Sequence, residues 1–128
     1  METWRQLSED SLSAAKTLLR EGKHRSSVSR SYYAAYCAAT NEIVQSLTTF
    51  PNGWNNPLHE KVPLYIQNNL ALSQTKKNTI KSLMRILRHF REDADYRPYR
   101  LVNIQAARNC VRDAERVLQE FGEITSRE

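Results

Sequence analysis

Arg91 stands where an arginine is costly. Ile80, Leu83, Met84, Leu87, Phe90 and Ala94 recur around it at three- and four-residue steps, the period of one helix face, and the guanidinium falls within that apolar stripe. Burying an unpaired charge is prohibitive. Arg91 therefore requires a carboxylate, several carbonyls, or a site open to water and ligand. Asp95, one helical turn later, offers a structural pairing; a functional arginine lining a cleft is the competing reading. Lys81, Arg85 and Arg88 lie together on a different face, and with Arg97 and Arg100 they concentrate positive charge toward the end of the same segment. Such a face attracts a phosphate backbone, and it equally suits solvated surface.

Few other chemistries are available. The chain has no glycine-rich phosphate loop, no H-E-x-x-H, no Cys/His cluster and no nucleophile elbow. Asp93 and Asp95 are close in sequence, but at that spacing they point to different sides of a helix and make no metal site by themselves. Cys37 and Cys110 sit inside helical patterns without metal-ligand spacing and read as reduced, packed thiols. The serines of "SRSYY", near a helix start, read as caps. His59, at the head of another helix, reads as capping or interface. Nothing in these patterns calls for a metal or a cofactor.

Positioning Arg91 needs a scaffold, and apolar periodicity supplies five helical segments and no strand. The first carries Trp4, Leu7, Ala14, Ala15, Leu18 and Leu19 on one face, with Gly22 as its stop. The second, from about 26 to 47, has a stripe of Val28, Tyr32, Ala35, Tyr36, Ala39, Ile43 and Leu47. Tyr33, Cys37 and Val44 cluster roughly 100° away, with Ala34 and Ala38 beyond them. This helix is apolar round most of its circumference, so neighbours must cover it on several sides: other helices of the bundle, or a second copy of the chain. "TTFPNGWNNP" is loop. A short helix follows around 59–70, where Pro63 forces a late start or an early kink. Ser73 caps a fourth, from 74 to about 94, which "DYRPYR" breaks, and a fifth covers roughly 101–121. The expected fold is an all-α, up-and-down bundle of four to five helices forming one domain over 1–128, with a flexible tail at about 122–128.

Composition agrees. The 128 residues, 40% hydrophobic and 26% charged, suit a single folded domain rather than disorder. Nineteen Lys and Arg against fourteen Asp and Glu give a net charge of +5, which permits phosphate-rich or acidic partners without proving one. "METWRQLSED" lacks the layout of an export signal, and no apolar run approaches the roughly 18 residues of a membrane span. A cytoplasmic protein with no membrane partner is expected.

"AAKTLLREGKHRSSVSRSYYAAYCAA", "HEKV", "LRHFREDADY" and "VNIQAARNCVRDAERVL" follow one another along the chain in an order that resembles the HEPN superfamily (higher eukaryotes and prokaryotes nucleotide-binding). The likeness is to its small stand-alone prokaryotic branch, with a central R-x-Y-Y-A and a late R-x-x-A-D-Y segment. It implies an up-and-down bundle that commonly dimerises, the central and fourth helices bordering a cleft between subunits. It also implies a toxin, frequently beside a nucleotidyltransferase antitoxin, and a metal-independent endoribonuclease whose active site is R-x(4-6)-H. The arginine of that motif matches Arg91. Five residues on stands Tyr96, and no histidine follows Arg91. Attack of an RNA 2′-hydroxyl on its own phosphate needs a proton-moving group of near-neutral pKa, which suits histidine and not an unperturbed tyrosine near about 10. His89 with Arg85, and His24 with Arg20, are each one residue short of the motif.

Two functional readings follow. In the first the chain is a toxin-antitoxin or defence-associated RNA-binding protein, open to endoribonuclease activity through a divergent motif. Arg91 stabilises the scissile phosphate, Tyr96 and Asp95 shape its pocket, and Arg30, Tyr33 and Arg88 hold RNA or nucleotide. The exposed phenols of Tyr96 and Tyr99 are candidates for nucleotide modification by a partner transferase. In the second the chain is a non-catalytic HEPN module that binds a nucleotide or docks a nucleotidyltransferase, and Arg91 is structural. A homodimer is expected.

Overall fold

The computed structural model describes residues 3–46 and 48–124. It contains five α-helices, α1 (Trp4–Arg20), α2 (His24–Gln45), α3 (Val62–Asn69), α4 (Gln74–Tyr96) and α5 (Ile104–Glu120), and two short 3₁₀ turns, Pro51–Gly53 and His59–Lys61. No strand occurs among the described residues, so the architecture is an all-α bundle. Among the described residues no helix is long and apolar enough to cross a membrane.

Local chemistry sets the helix ends. Thr3 and Gln6 form a reciprocal capping box that opens α1. Gly22, at φ +76°, reverses the chain after α1, with Gly22 N–H donating to Leu19 O and Lys23 N–H to Leu18 O at 2.9 Å. The tight reversal makes α1 and α2 antiparallel neighbours. Buried serines then stitch them together: Ser8 Oγ donates to Ala34 O at 2.9 Å and Ser27 Oγ to Ala15 O at 2.7 Å.

α2 occupies the centre. Ala34, Ala35, Cys37, Ala38 and Ala39 are fully buried, and α1, α3, α4 and α5 all pack against it. The chain's own helices thus account for the apolar circumference of α2. Leu118, Val117, Leu87, Ile80 and Ile66 close the core around it, each such side chain contributing about 1.5–3 kcal/mol by leaving water. Val44, placed with Tyr33 and Cys37 by its spacing, is 38% exposed in the last turn of α2, and Leu47 lies outside the described residues. Cys37 and Cys110 are buried and unpaired. Burial pushes their thiols up to about 11 and about 12, so both stay protonated and packed.

Three boundaries bear on function. α3 starts at Val62 with Pro63 in its first turn, preceded by the 3₁₀ turn that begins at His59. α4 continues to Tyr96, past the expected stop near Ala94, so Arg91, Asp95 and Tyr96 belong to one regular helix. α5 begins at Ile104 behind an Asn103 cap, which leaves Leu101 87% exposed. Of the tail expected to be flexible, residues 125–128 lie outside the described residues, and Glu123 is buried against Asn41 and Arg5.

Candidate functional site

A cavity of about 710 Å³ opens between α2 and the end of α4. Because α4 is regular there, residues four and five apart share a face, and the carboxylate and phenol that follow Arg91 both fold back on it. Arg91 Nε–H donates to Asp95 Oδ2 at 2.9 Å and an Nη2–H to Tyr96 Oη at 3.2 Å. Ser29 Oγ, from α2, donates to the same Asp95 oxygen at 3.1 Å. The guanidinium carbon lies 5.6 Å from the Tyr32 ring centroid and 5.1 Å from that of Tyr96, within reach of cation–π attraction. The side chain is 23% exposed. It is therefore paired with Asp95, oriented, and still open to the cavity. Its remaining N–H groups make no hydrogen bond among the described residues and can donate to a phosphate oxygen.

The opposite wall is a residue pair that motif reading did not join. Tyr32 Oη and His59 Nδ1 are 2.7 Å apart, and the imidazole stacks on Tyr36 with centroids 4.2 Å apart. Tyr36 is fixed in turn by donating to Pro57 O at 2.6 Å and accepting from Asn56 Nδ2 at 2.8 Å. His59 is not the cap of the turn it opens, since that position belongs to Leu58. Burial, then the charges of Arg91 and Arg88, lower the His59 pKa below its ordinary 6.5, so the ring is neutral at pH 7. Burial pushes the Tyr32 phenol up to about 12, so it keeps its proton.

Tyr32 and His59 also line a second cavity of about 610 Å³ between α3 and α4. Its floor is Val62, Pro63 and Met84, and its rim carries Lys81, Arg85 and Arg88 against a single carboxylate, Glu92. Arg88 pairs with Glu92 at 3.3 Å, and Lys81 Nζ donates to the neutral amide oxygen of Gln67 at 2.7 Å. The pair is thus a partition, with positive charge on both sides.

Arg25 holds the end of α4 in place. Its guanidinium donates to the carbonyls of Asp93 at 2.9 Å, Ala94 at 3.2 Å and Arg97 at 3.3 Å, and also to those of Pro98 and Arg100. Ala94 O is one of the carbonyls that a helix C-terminus leaves without an intrahelical partner, the others belong to the end of α4 and the turn that follows it, and the cation also suits the negative end of the helix dipole. Arg97, expected to add free charge, is paired with Asp93 at 3.1 Å and Glu92 at 3.6 Å.

Of the residues singled out from sequence, Arg91, Asp95, Tyr96, Arg30 and Tyr33 line one cavity. Arg30 lies 5.9 Å from the Tyr33 ring centroid. Arg88 lines the neighbouring cavity. Tyr99 lines neither and is 78% exposed. Sequence reading missed Arg25, Tyr32 and His59. Their partners lie 23 to 75 positions away, beyond any local period; the signals in the sequence were the density of tyrosines in α2 and the place of His59 in the "HEKV" segment that carries part of the HEPN resemblance. Among the described residues no group of three or more His, Cys, Asp or Glu could hold a metal ion.

A family model described as the HEPN domain matches residues 1–124. No curated protein matches the chain.

Proposed function

The chain belongs to the HEPN family, and from that membership we propose that it is a cytoplasmic, metal-independent RNA-binding protein with endoribonuclease activity, of the toxin-antitoxin or defence type. One domain over 1–128 carries it. The observation that supports this reading most is Arg91 held by Asp95, Tyr96 and Tyr32 at the mouth of a cavity lined by two further arginines. In the reaction, Arg91 binds the non-bridging oxygens of the scissile phosphate and stabilises the charge that grows on them. Asp95 and Tyr96 set its orientation. Arg30 and Tyr33 hold the adjoining strand by charge and stacking, and Arg88 receives the strand where it crosses into the α3–α4 cavity.

A homodimer and a nucleotidyltransferase antitoxin complete the proposal. Tyr96, Tyr99, Leu101 and Ile104 are 64%, 78%, 87% and 43% exposed, large apolar and phenolic side chains in and just after the end of α4, of which Tyr96 lines the Arg91 cavity, and such exposure suits a partner surface. The same exposure supports the second reading. With Tyr96 in the motif's histidine place and its ring accessible, a non-catalytic module would offer Tyr96 or Tyr99 to a docked transferase for nucleotidyl transfer, or bind a nucleotide against Arg91.

Incubating the purified protein with total RNA in chelator separates the two. The first reading predicts cleavage that persists without metal and falls by about 10²–10³-fold in Arg91→Ala, the scale of losing one preorganised donor to an oxyanion. Intact RNA together with tight transferase binding would establish the second instead.

A further inference from the structure

We propose that His59 is the proton-transfer residue of the Arg91 cavity, a catalytic group delivered from the α2–α3 connection and steered by Tyr32. The inference rests on the ribonuclease reading above. It answers the chemical gap that reading leaves, because α4 beyond Arg91 contains no group suited to moving a proton at neutral pH.

The chain has three histidines, and only His59 lines the cavity that holds Arg91. His89 is 68% exposed and 3.7 Å from Asp93 on another face of α4, and His24 opens α2. Tyr32 neighbours both groups, His59 at 5.5 Å between ring centroids and the Arg91 guanidinium at 5.6 Å from the Tyr32 centroid. One phenol ring therefore sets the spacing between the phosphate-binding cation and the imidazole. Stacking on Tyr36 fixes the ring plane, and the bond between Nδ1 and Tyr32 Oη fixes its rotation. Nε2 makes no hydrogen bond among the described residues. Tyr32 and Tyr36 of α2 contact His59, the charges of Arg91 and Arg88 of α4 reach it, and Lys81, Arg85, His89 and Glu92 line the α3–α4 cavity with it. Burial, and then the charges of Arg91 and Arg88, lower the pKa of the ring and favour its neutral form, the form a base requires.

In the tautomer that donates Nδ1–H to Tyr32 Oη, Nε2 keeps its lone pair. Nε2 takes the proton of the RNA 2′-hydroxyl as the O2′–P bond forms and the P–O5′ bond breaks. The departing 5′-oxygen takes a proton from water, and the imidazolium returns its proton to the hydroxide so formed. The products are a 2′,3′-cyclic phosphate and a 5′-hydroxyl, with no change in the protonation of the protein.

The test compares His59→Ala, His59→Asn, Arg91→Ala and wild-type protein on a defined single-stranded RNA in chelator. Binding of the 2′-O-methyl version is measured in parallel. Both His59 variants are expected to lose about 10²–10⁴-fold in cleavage while binding within about threefold of wild type, and added imidazole should restore part of the His59→Ala rate. The acid limb of the wild-type rate profile, with a midpoint below the ordinary histidine value, should vanish in both. His59→Asn retains a side-chain hydrogen bond toward Tyr32 and guards against a folding failure of the alanine variant. If either folded variant cleaves at the wild-type rate while Arg91→Ala is inactive, the inference is overturned and the ribonuclease reading stands. Loss of cleavage accompanied by loss of RNA binding, with no imidazole rescue, makes His59 structural and also overturns it. An inactive wild-type protein overturns reading and inference together.

Discussion

The two sides of α2 solve the same burial problem in different ways. Toward α1 the helix presents Ser27 and Ala34, and small residues let the backbones approach until buried serine hydroxyls reach carbonyls across the interface. Toward α3 and α4 it presents Tyr32 and Tyr36, whose bulk holds the neighbouring helices apart and whose hydroxyls need partners. His59, Asn56 and the backbone of Pro57 provide those partners, and Arg91 stacks beyond them. One side is sealed and supplies stability. The other is wet and carries two positively rimmed cavities. A single central helix can therefore be both the core of the bundle and the wall of two cavities, because its residue sizes differ by face.

The sharpest way to break that contrast is to overpack the sealed side. Ala34→Leu adds three carbon atoms where no space exists, and overpacking of this kind costs about 1–3 kcal/mol. For a chain of this size that lowers Tm by roughly 3–15 °C. Thermal unfolding by circular dichroism measures it, and cleavage at a permissive temperature should stay at the wild-type rate.

Arg25→Met should give a smaller loss, and one felt on the wet side. It removes the cation that serves the carbonyls ending α4 while keeping an apolar stem of similar length. The expected result is a destabilisation of about 1–2 kcal/mol, together with a drop of roughly tenfold in cleavage as Asp95 and Tyr96 lose their fixed backbone. Faster amide hydrogen exchange confined to residues 93–100 would localise the effect.

The smallest change concerns Glu123, which sits with Glu42 around Asn41 and lines neither cavity. Asn41 Nδ2 reaches Glu42 Oε2 at 3.1 Å and Glu123 Oε2 at 3.3 Å. Burial, and then the neighbouring Glu42 charge, push the Glu123 carboxyl up to about 8. A folded-state value above the unfolded one means that stability is fully present below about pH 4.5 and is lost as pH rises through about 8. Glu123→Gln mimics the protonated form, so its Tm should match wild type at pH 5 and exceed it by a few degrees at pH 9. RNA cleavage should not respond.

The sequence disclosed the two sides unequally. Helix number and the encirclement of α2 were legible because 3.6-residue periodicity and alanine content are local properties. Arg91 was legible as an anomaly, since a charge inside an apolar stripe stands out without knowledge of its partners. Its pairing with Asp95 followed from helical spacing. Tyr32 was read as one more member of a core stripe, although its hydroxyl, not its ring alone, decides what it does. His59 was read from its place before a helix, where a capping role is the local expectation; its actual partners are in α2, 23 and 27 positions away. Arg25 gave no signal at all, because carbonyl acceptors carry no side-chain identity.

The most direct test of the division between a sealed face and a working face measures cleavage rate and Tm together for Arg91→Ala and Ala34→Leu. The account predicts a crossed result. Arg91→Ala should lose about 10²–10³-fold in cleavage with a Tm near wild type, since a partly exposed ion pair contributes only about 0.3–1 kcal/mol, whereas Ala34→Leu should lose Tm and keep its rate. If Arg91→Ala instead unfolds the bundle as readily as Ala34→Leu does and leaves the residual folded protein fully active, Arg91 is a structural residue and the cavity around it is not the site.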